Sequence, residues 1–222
     1  MLVIAGLGNP GPEYAGHRHN VGFMAVDAIR SRHRFGPTRP RFEGIVCEGV
    51  LADEKVLLLK PTTYMNDSGR AAAAALRFYK LEPAQLIVIH DELDLDPGRI
   101  RVKRGGGADG HNGLRSIDAH IGPEYWRIRI GIGHPGDKNL VMPYVLHDFA
   151  KADRAWLEPM IDAIADNIDQ LARGDEARFM NRVTLATRPP APKKEAPKKE
   201  APKNEMSGSE VAPKQPKTSG AG

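Results

Sequence analysis

The chain has 222 residues and a sequence pI of about 9.2, which suits one domain with or without a tail and is enough for a substantial buried core. Its single cysteine, Cys47, excludes a disulfide framework and a cysteine-built zinc site. The first residues lack the basic region of a signal peptide, and no apolar run approaches the roughly 20 residues that span a bilayer, so we expect a soluble cytoplasmic protein without a membrane contact.

The excess of positive charge lies at the carboxyl end of the chain. Residues 188–222 hold eight Lys and Arg against four Glu, which equals the surplus of 32 basic over 28 acidic residues in the whole chain. Residues 1–187 are therefore balanced in charge. A site for anions in that part must be a local cluster of cations and not a product of overall charge.

The first third of the chain alternates strand and helix patterns. Residues 2–7 form an apolar run that predicts a buried strand, and Asn20 is the predicted N-cap of a helix. Residues 42–51 and 55–60 flank a short polar turn and predict a β-hairpin. An alanine-rich helix follows, and its predicted core face consists of Ala71, Ala74, Ala75 and Phe78.

The rest of the folded part continues this alternation. Strands are predicted over residues 86–89, 99–103 and 126–133, with a glycine-rich loop and a short helix before the last of them. Helices are predicted over residues 152–172 and 175–185, and Pro159 should kink the first or mark its start. The pattern predicts a single α/β domain over residues 1–187, with a mixed, twisted β-sheet flanked by helices.

Residues 188–222 have a different composition. An Ala-Pro-Lys-Lys-Glu repeat dominates, and no apolar residue larger than alanine occurs before Met206. Such a segment cannot bury enough surface to offset the entropy lost on ordering, so we predict a disordered tail. Its lysines suggest weak, nonspecific attraction to RNA or ribosomes.

The glycines after the first strand resemble a dinucleotide-binding fingerprint. Gly6, Gly8 and Gly11 have the required spacing, and that motif needs a helix that opens among the glycines to hold the pyrophosphate. Pro10 and Pro12 disfavour helical backbone at the residues before them. Helical spacing begins only after Asn20, so the pattern argues against a Rossmann site.

Polar side chains gather where the predicted strands end. Because strand ends of an α/β sheet face one crevice, we expect these side chains to meet in a ligand site. Some of them also have a simpler interpretation: Asn66 and Asn112, like Asn20, precede helices, and asparagine is a common N-cap. The residues in question are Asn9, Tyr14, His19, Tyr64, Asn66, Asp91, His111 and Asn112.

Five motifs in order resemble the bacterial peptidyl-tRNA hydrolase family, and together they cover residues 1 to about 187. They are Gly6-Leu7-Gly8-Asn9-Pro10-Gly11 with Tyr14 and Arg18-His19-Asn20; Pro61-Thr62-Thr63-Tyr64-Met65-Asn66-Asp67-Ser68-Gly69; His90-Asp91-Glu92-Leu93-Asp94; Gly105-Gly106-Gly107 through Gly110-His111-Asn112-Gly113; and Arg129-Ile130-Gly131-Ile132-Gly133-His134-Pro135.

The resemblance implies a monomeric α/β hydrolase without a cofactor. Its substrate would be peptidyl-tRNA released prematurely from ribosomes, cleaved at the ester between the peptide and the 3′-terminal ribose. His19 would be the catalytic base, Asp91 its supporting carboxylate, and Asn9 the residue that distinguishes a blocked peptide from a free aminoacyl group. Two further sets carry over: substrate-binding residues Tyr14, Tyr64, Asn66 and Asn112, and a cationic pair for the tRNA 5′-phosphate, Lys103 and Arg129.

The residue types suit this chemistry. The sequence has no Gly-x-Ser-x-Gly elbow and Cys47 lies in a predicted strand, so water is the simplest nucleophile. Histidine, with an ordinary pKa of about 6.5, can deprotonate water near neutral pH, and an aspartate can orient it. Asparagine amides can donate to an ester oxygen, and Asn9 could accept from a peptide N–H. A local cation patch could bind tRNA phosphates through Arg101, Lys103, Arg104, Arg115, Arg129 and Lys138.

Two alternatives remain open at this stage. A metal-dependent hydrolase would need several histidines and Asp91 to converge on a zinc ion, although their spacing is not that of a known zinc motif. A noncatalytic RNA-binding relative could use the same scaffold, and the joint presence of His19, Asp91 and Asn9 argues against it. The candidate metal ligands are His17, His19, His90, Asp91 and His111.

Overall fold

The computed structural model describes residues 1–188, which contain one seven-stranded sheet and helices on both of its faces. The strands are β1 Leu2–Gly6, β2 Arg39–Arg41, β3 Gly44–Leu51, β4 Glu54–Pro61, β5 Leu86–Glu92, β6 Ile100–Arg104 and β7 Trp126–Gly131. The α-helices are α1 Val21–Arg32, α2 Ser68–Tyr79, α3 Asn112–Ile121, α4 Val141–Val145, α5 Arg154–Ala172 and α6 Glu176–Ala186.

The sheet is mixed, as the sequence predicts. Its strand order is β2-β3-β4-β1-β5-β7-β6, with parallel pairing of β4 with β1, β1 with β5 and β5 with β7. The pairs β2 with β3, β3 with β4 and β6 with β7 are antiparallel. The α/β class and the hairpin are therefore confirmed, and four adjacent strands end at the same edge of the sheet.

Two apolar layers cover the sheet because side chains alternate between its faces along each strand. Ile4, Ile87 and Ile89 pack on one face against α1, α5 and α6. Leu7, Val88 and their neighbours pack on the other face against α2 and α3. No helix in residues 1–188 is both long enough and apolar enough to cross a membrane.

Several local predictions are wrong. Phe42 and Glu43 have φ angles of 56° and 53°, so they form a turn after the unpredicted strand β2 and do not begin β3. Phe78 keeps 55% of its surface exposed and contacts Phe42 and Tyr79, outside the core face of α2. Of the two roles predicted for Pro159, a kink in the helix or its start, the structure contradicts the second, because Pro159 lies inside α5. The predicted disordered tail lies outside the described residues, apart from Arg188.

Two glycines bring α1 very close to the sheet. A Cβ atom added to Gly6 would lie 2.2 Å from the carbonyl oxygen of Gly22, and one added to Gly22 would lie 2.3 Å from that of Ile89. No side chain fits at either position without backbone movement. Within the Gly6-x-Gly8-x-x-Gly11 pattern, Gly6 and Gly8 thus allow close packing of α1, whereas Gly11 has a φ of 123° and is followed only by a three-residue 3₁₀ helix, Pro12–Tyr14.

Candidate active site

A cavity of about 510 Å³ opens at the edge where the parallel strands end. The loop after β1 supplies Asn9 and His19 to its wall, the carboxyl end of β5 supplies Asp91, and the segment after the glycine loop supplies Asn112. The structure therefore brings together seven of the nine predicted site residues: Asn9, Tyr14, His19, Tyr64, Asn66, Asp91 and Asn112.

His19 and Asp91, which are 72 residues apart in sequence, form the polar centre of this cavity. The His19 Nδ1 atom lies 2.9 Å and 3.0 Å from the two carboxylate oxygens of Asp91. Both residues are buried, with 8% and 3% of their surface exposed. With Nδ1–H donated to the carboxylate, Nε2 is the nitrogen of His19 that remains for a substrate or a water molecule.

The charges of this pair favour a histidine base held by an ionised aspartate. Burial by itself lowers the pKa of His19, but the charge of Asp91 and the hydrogen bond to it outweigh burial and raise the pKa above its usual 6.5. Burial by itself raises the pKa of Asp91, whereas His19 and His111 hold it well below its usual value. Asp91 is thus an anion that stabilises imidazolium.

His111 is a second imidazole on the same carboxylate, and sequence reasoning assigned it no catalytic role. Its Nε2 lies 3.1 Å from Asp91 Oδ1. Its Nδ1 accepts hydrogen bonds from the backbone N–H groups of Gly113 and Leu114, and so caps α3. Because Nδ1 accepts, Nε2 carries the proton, and the Nε2–H group donates a hydrogen bond to Asp91. The signal in the sequence is a histidine immediately after a glycine loop and before a helix.

Asn9 is fixed by hydrogen bonds from two other segments. Its Oδ1 accepts from the Met65 N–H at 2.8 Å, and the Asn20 side chain binds both the backbone N–H and the backbone carbonyl of Asn9. Within residues 1–188 the Asn9 NH₂ group has no partner, although Asn9 lines the cavity. The group available to a substrate is therefore a donor, and not the acceptor that the sequence suggested.

The three asparagines predicted as possible N-caps do not cap helices through their side chains. Asn20 precedes α1, but its amide is used by the Asn9 backbone. Asp67 and His111 occupy the N-cap positions of α2 and α3. Asn66 and Asn112 are exposed residues that line the cavity, and their side-chain amides do not cap these helices.

Aromatic and apolar side chains form the outer wall of the cavity. Tyr14 and Tyr64 meet edge to face with ring centroids 6.5 Å apart, and Tyr64 is 61% exposed. On another side, the short helix α4, which sequence reasoning did not assign, presents Met142, itself 68% exposed. The remaining apolar wall residues from this segment are Val141, Val145 and Leu146.

Arg18 attaches this apolar wall to the loop that carries His19. Its guanidinium donates to the backbone carbonyls of Tyr144, His147 and Asp148, the last at 2.9 Å. It also lies 4.3 Å from the centroid of the Tyr144 ring. Only 9% of Arg18 is exposed, so the residue holds the wall and does not contact solvent freely.

The predicted phosphate-binding pair lies outside the cavity, on strands β6 and β7. Arg129 stands opposite Arg101 in register, and Lys103 stands opposite Arg127, so all four side chains occupy one face of the sheet. Arg127 is buried and donates to the carbonyls of Gly106 and Gly107 and to Asp118.

Arg129 has an internal partner as well. Its Nε donates to Glu92 Oε2 at 2.8 Å, and Glu92 lines the cavity that contains His19 and Asp91. Arg101 is exposed and Lys103 is half-buried. Within residues 1–188, Arg101 and Lys103 are therefore the two of these four cations whose charges are least neutralised by other groups.

Three of the candidate metal ligands do converge. Ligand atoms of His19, Asp91 and His111 all lie within 4.8 Å of one another, and they already form hydrogen bonds among themselves. His17 packs against the Tyr14 ring, and His90 donates from Nδ1 to the Asp91 backbone carbonyl. Burial lowers the pKa of His90 to about 3. Of the five candidate ligands in the metal-dependent alternative, only these three therefore come together.

Comparison with known proteins identifies the family. A family model described as peptidyl-tRNA hydrolase matches residues 3–193. The peptidyl-tRNA hydrolase of Chelativorans sp. is 61% identical over 188 residues, which cover 85% of this chain and 79% of the relative. That of Parvibaculum lavamentivorans is 61% identical over 195 residues, which cover 87% and 95%.

Solved structures agree with this result. The crystal structure of peptidyl-tRNA hydrolase from Acinetobacter baumannii is 42% identical, with a TM-score of 0.78 over 82% of this chain and 94% of that one. Neither the noncatalytic nor the metal-dependent alternative gains support from these relatives, all of which are named as hydrolases. The sequence motifs, the sheet and the cleft at its edge together place this chain in the peptidyl-tRNA hydrolase family.

Proposed function

We propose that the cavity at the strand ends is where this protein hydrolyses peptidyl-tRNA, with His19 as the base that activates water. The observation that carries the proposal is the His19–Asp91 pair, bonded at 2.9 Å and 3.0 Å beneath an open cavity walled by three asparagines. The pair has the composition and geometry of a general base with its orienting carboxylate.

The reaction follows from these groups. His19 Nε2 takes a proton from water while the water oxygen bonds to the ester carbonyl carbon, and the imidazolium so formed is stabilised by Asp91. Amide NH₂ groups of Asn9, Asn66 and Asn112 donate to the substrate and to the developing oxyanion. The bond to the ribose oxygen then breaks, and His19 returns its proton to that oxygen. The products are the free peptide acid and tRNA.

Asn9 accounts for selectivity against free aminoacyl-tRNA. Its unpaired NH₂ group can donate to the carbonyl oxygen of the peptide bond that precedes the last residue, and a free aminoacyl group has no such carbonyl. A donor also gives no favourable contact to an α-ammonium, which would need an acceptor. Both effects favour binding of peptidyl-tRNA over free aminoacyl-tRNA.

We place the tRNA against the β6–β7 face, where Arg101 and Lys103 are the least neutralised cations, with Lys103 and the Glu92-paired Arg129 at the 5′-phosphate. Lys138, which lines the cavity, would contact the phosphates nearest the ester. The proposal includes a monomeric enzyme that acts in the cytoplasm, where peptidyl-tRNA leaves the ribosome, and passing contact with ribosomes.

The test uses N-acetyl-aminoacyl-tRNA and unblocked aminoacyl-tRNA of the same tRNA. We expect the protein to cleave the blocked ester only, and His19→Ala to lose activity by about 10²-fold to 10⁴-fold, the usual contribution of a general base. Asn9→Ala should lower cleavage of the blocked ester and narrow the difference between the two substrates. Equal cleavage of both esters by the unaltered protein would refute the role of Asn9.

A further inference from the structure

A second cavity lies beside the catalytic one, on the other side of Asn9. Its volume is about 340 Å³, near the lower end of the range of roughly 300 to 1,000 Å³ found for small-ligand sites. Asn9 lines both cavities. The remaining walls come from the loop after β1, from α1 and from the β3–β4 hairpin, and they include Pro10, Ala15, Phe23, Met24, Ile45 and Pro61.

The chemistry of the second cavity suits an uncharged, apolar group. Its two charged residues neutralise each other, since Lys60 Nζ lies 2.6 Å and 2.7 Å from the carboxylate oxygens of Asp27. The Asn20 amide at its wall is fully used by the backbone of Asn9. A phosphate would find no free cation among these lining residues, whereas a hydrocarbon side chain would find Phe23 and Ile45.

The strand order places the second cavity on the opposite side of the catalytic cavity from the cations of β6 and β7. Lys103 and Arg129 lie on β6 and β7 at one end of the sheet, whereas His19 follows β1 and Asp91 lies at the end of β5, both in the middle. Ile45 and Lys60, which line the second cavity, belong to β3 and β4 on the other side. If tRNA occupies the β6–β7 side, as the proposed function requires, the peptide runs from the central ester towards β4 and β3.

We propose that the second cavity is a subsite for the side chain of the penultimate residue of the peptidyl group and that it prefers an apolar side chain there. Asn9 stands between the two cavities and donates its NH₂ group to the peptide carbonyl that separates the last residue from the penultimate one. The last residue thus lies in the catalytic cavity, and the side chain of the residue before it enters the second cavity.

The experiment compares two substrates that differ only in the penultimate residue, N-acetyl-Leu-Ala-tRNA and N-acetyl-Asn-Ala-tRNA. Leucine and asparagine have similar shapes and neither is charged, so the ratio of their kcat/KM values reports the polarity of the subsite. We expect a preference for leucine of about 10-fold or more, the discrimination usual for an apolar pocket.

Ile45→Trp should fill the cavity and bring this ratio close to one. Val50→Trp is the matched control, because it introduces the same indole on the same strand at an exposed position outside the cavity, and it should keep the preference. Ala15→Leu narrows the cavity from the loop side and should reduce the preference too, which keeps the test decisive if Ile45→Trp fails to fold.

Two results would overturn the subsite. One is equal cleavage of the leucine and asparagine substrates by the unaltered protein, and the other is full retention of the preference in folded Ile45→Trp and Ala15→Leu. Failure of the unaltered protein to cleave even N-acetyl-Ala-tRNA is a distinct result, because it would overturn the proposed hydrolase function and the subsite with it.

Discussion

The His19–Asp91–His111 cluster and the cation face of β6 and β7 use charge in opposite ways. In the cluster, two imidazoles meet one carboxylate at 2.9 Å to 3.1 Å, and all three groups are largely withdrawn from water. On the cation face, Arg127 and Arg129 are tied to internal partners, while Arg101 stays exposed. Chemistry at the ester needs fixed, desolvated groups, whereas attraction to phosphates works through water.

This comparison predicts two kinds of variant. Changes in the cluster should lower kcat and move the pH profile, because they alter the base. Changes on the cation face should raise KM and weaken the dependence on salt, because they alter encounter with a polyanion. The four tests below run from the largest expected effect to the smallest.

Asp91→Asn should have the largest effect of these four. Asparagine can fill the space but cannot stabilise the imidazolium, so we expect kcat to fall on the order of 10²-fold to 10⁴-fold. As the proposed base, His19 acts in its unprotonated form, and Asp91 raises its pKa, so the acid limb of kcat/KM should lie above pH 6.5 in the unaltered protein. In the variant that limb should move to lower pH. An unchanged acid limb would show that His19 is not the titrating base.

Asn112→Ala should lower turnover on the order of 10²-fold if the amide donates to the oxyanion. Asn66→Ala should act in the same direction. Neither asparagine caps a helix, so thermal unfolding should stay near that of the unaltered protein. A clear fall in melting temperature for either variant would instead indicate a structural role.

A pair of substitutions separates the two roles of His111. His111→Ala removes both the cap of α3 and the bond to Asp91, so we expect the free energy of unfolding to fall by ~1 kcal/mol and activity to fall roughly 10-fold. His111→Asn keeps a capping side chain but cannot reach Asp91 as imidazole does. It should retain the stability and still show the loss of activity, and full activity in His111→Asn would limit His111 to capping.

Lys103→Ala should have the smallest effect, a rise in KM of about 5-fold with little change in kcat. The slope of log kcat/KM against log salt should become shallower by about 0.7 to 0.9, the value for one phosphate contact. Lys55→Ala removes the same charge from an exposed position at the start of β4 and is the matched control. If substrate lacking the 5′-phosphate responds to Lys103→Ala as strongly as the normal substrate, the lysine binds elsewhere on the tRNA.

The architecture was predictable because its signals are local. The apolar run of β1, the hairpin and the amphipathic helices each depend on neighbouring residues, and all of them form. Strand β2 was missed because it has three residues and contains Pro40, which gives no alternation to detect. Helix α4 was missed because it has only five residues and contains Pro143, so it is too short to show a helical periodicity.

The site was predictable in its membership but not in its hydrogen bonds. Strand ends and motif spacing brought seven residues to one cavity, yet the sequence does not show that Met65 occupies the Asn9 oxygen. It also does not show that His111, and not Asn112, caps α3. Phe78 has the helical spacing of a core residue, but its side chain is largely exposed and its ring packs on Phe42. Such outcomes depend on contacts between distant segments.

The close contact between Gly6 and Gly22 fixes the position of α1 on the sheet, and with it the distance between His19 and Asp91. Gly22 is the second residue of α1 and follows His19 by three residues, and a methyl group at this position would lie 2.3 Å from the Ile89 carbonyl oxygen. Relief of that clash by a shift of even about 1 Å would stretch the 2.9 Å bond between His19 and Asp91 beyond hydrogen-bonding range. A folded but inactive enzyme is the expected phenotype of Gly22→Ala, caused by an atom that touches neither substrate nor catalyst.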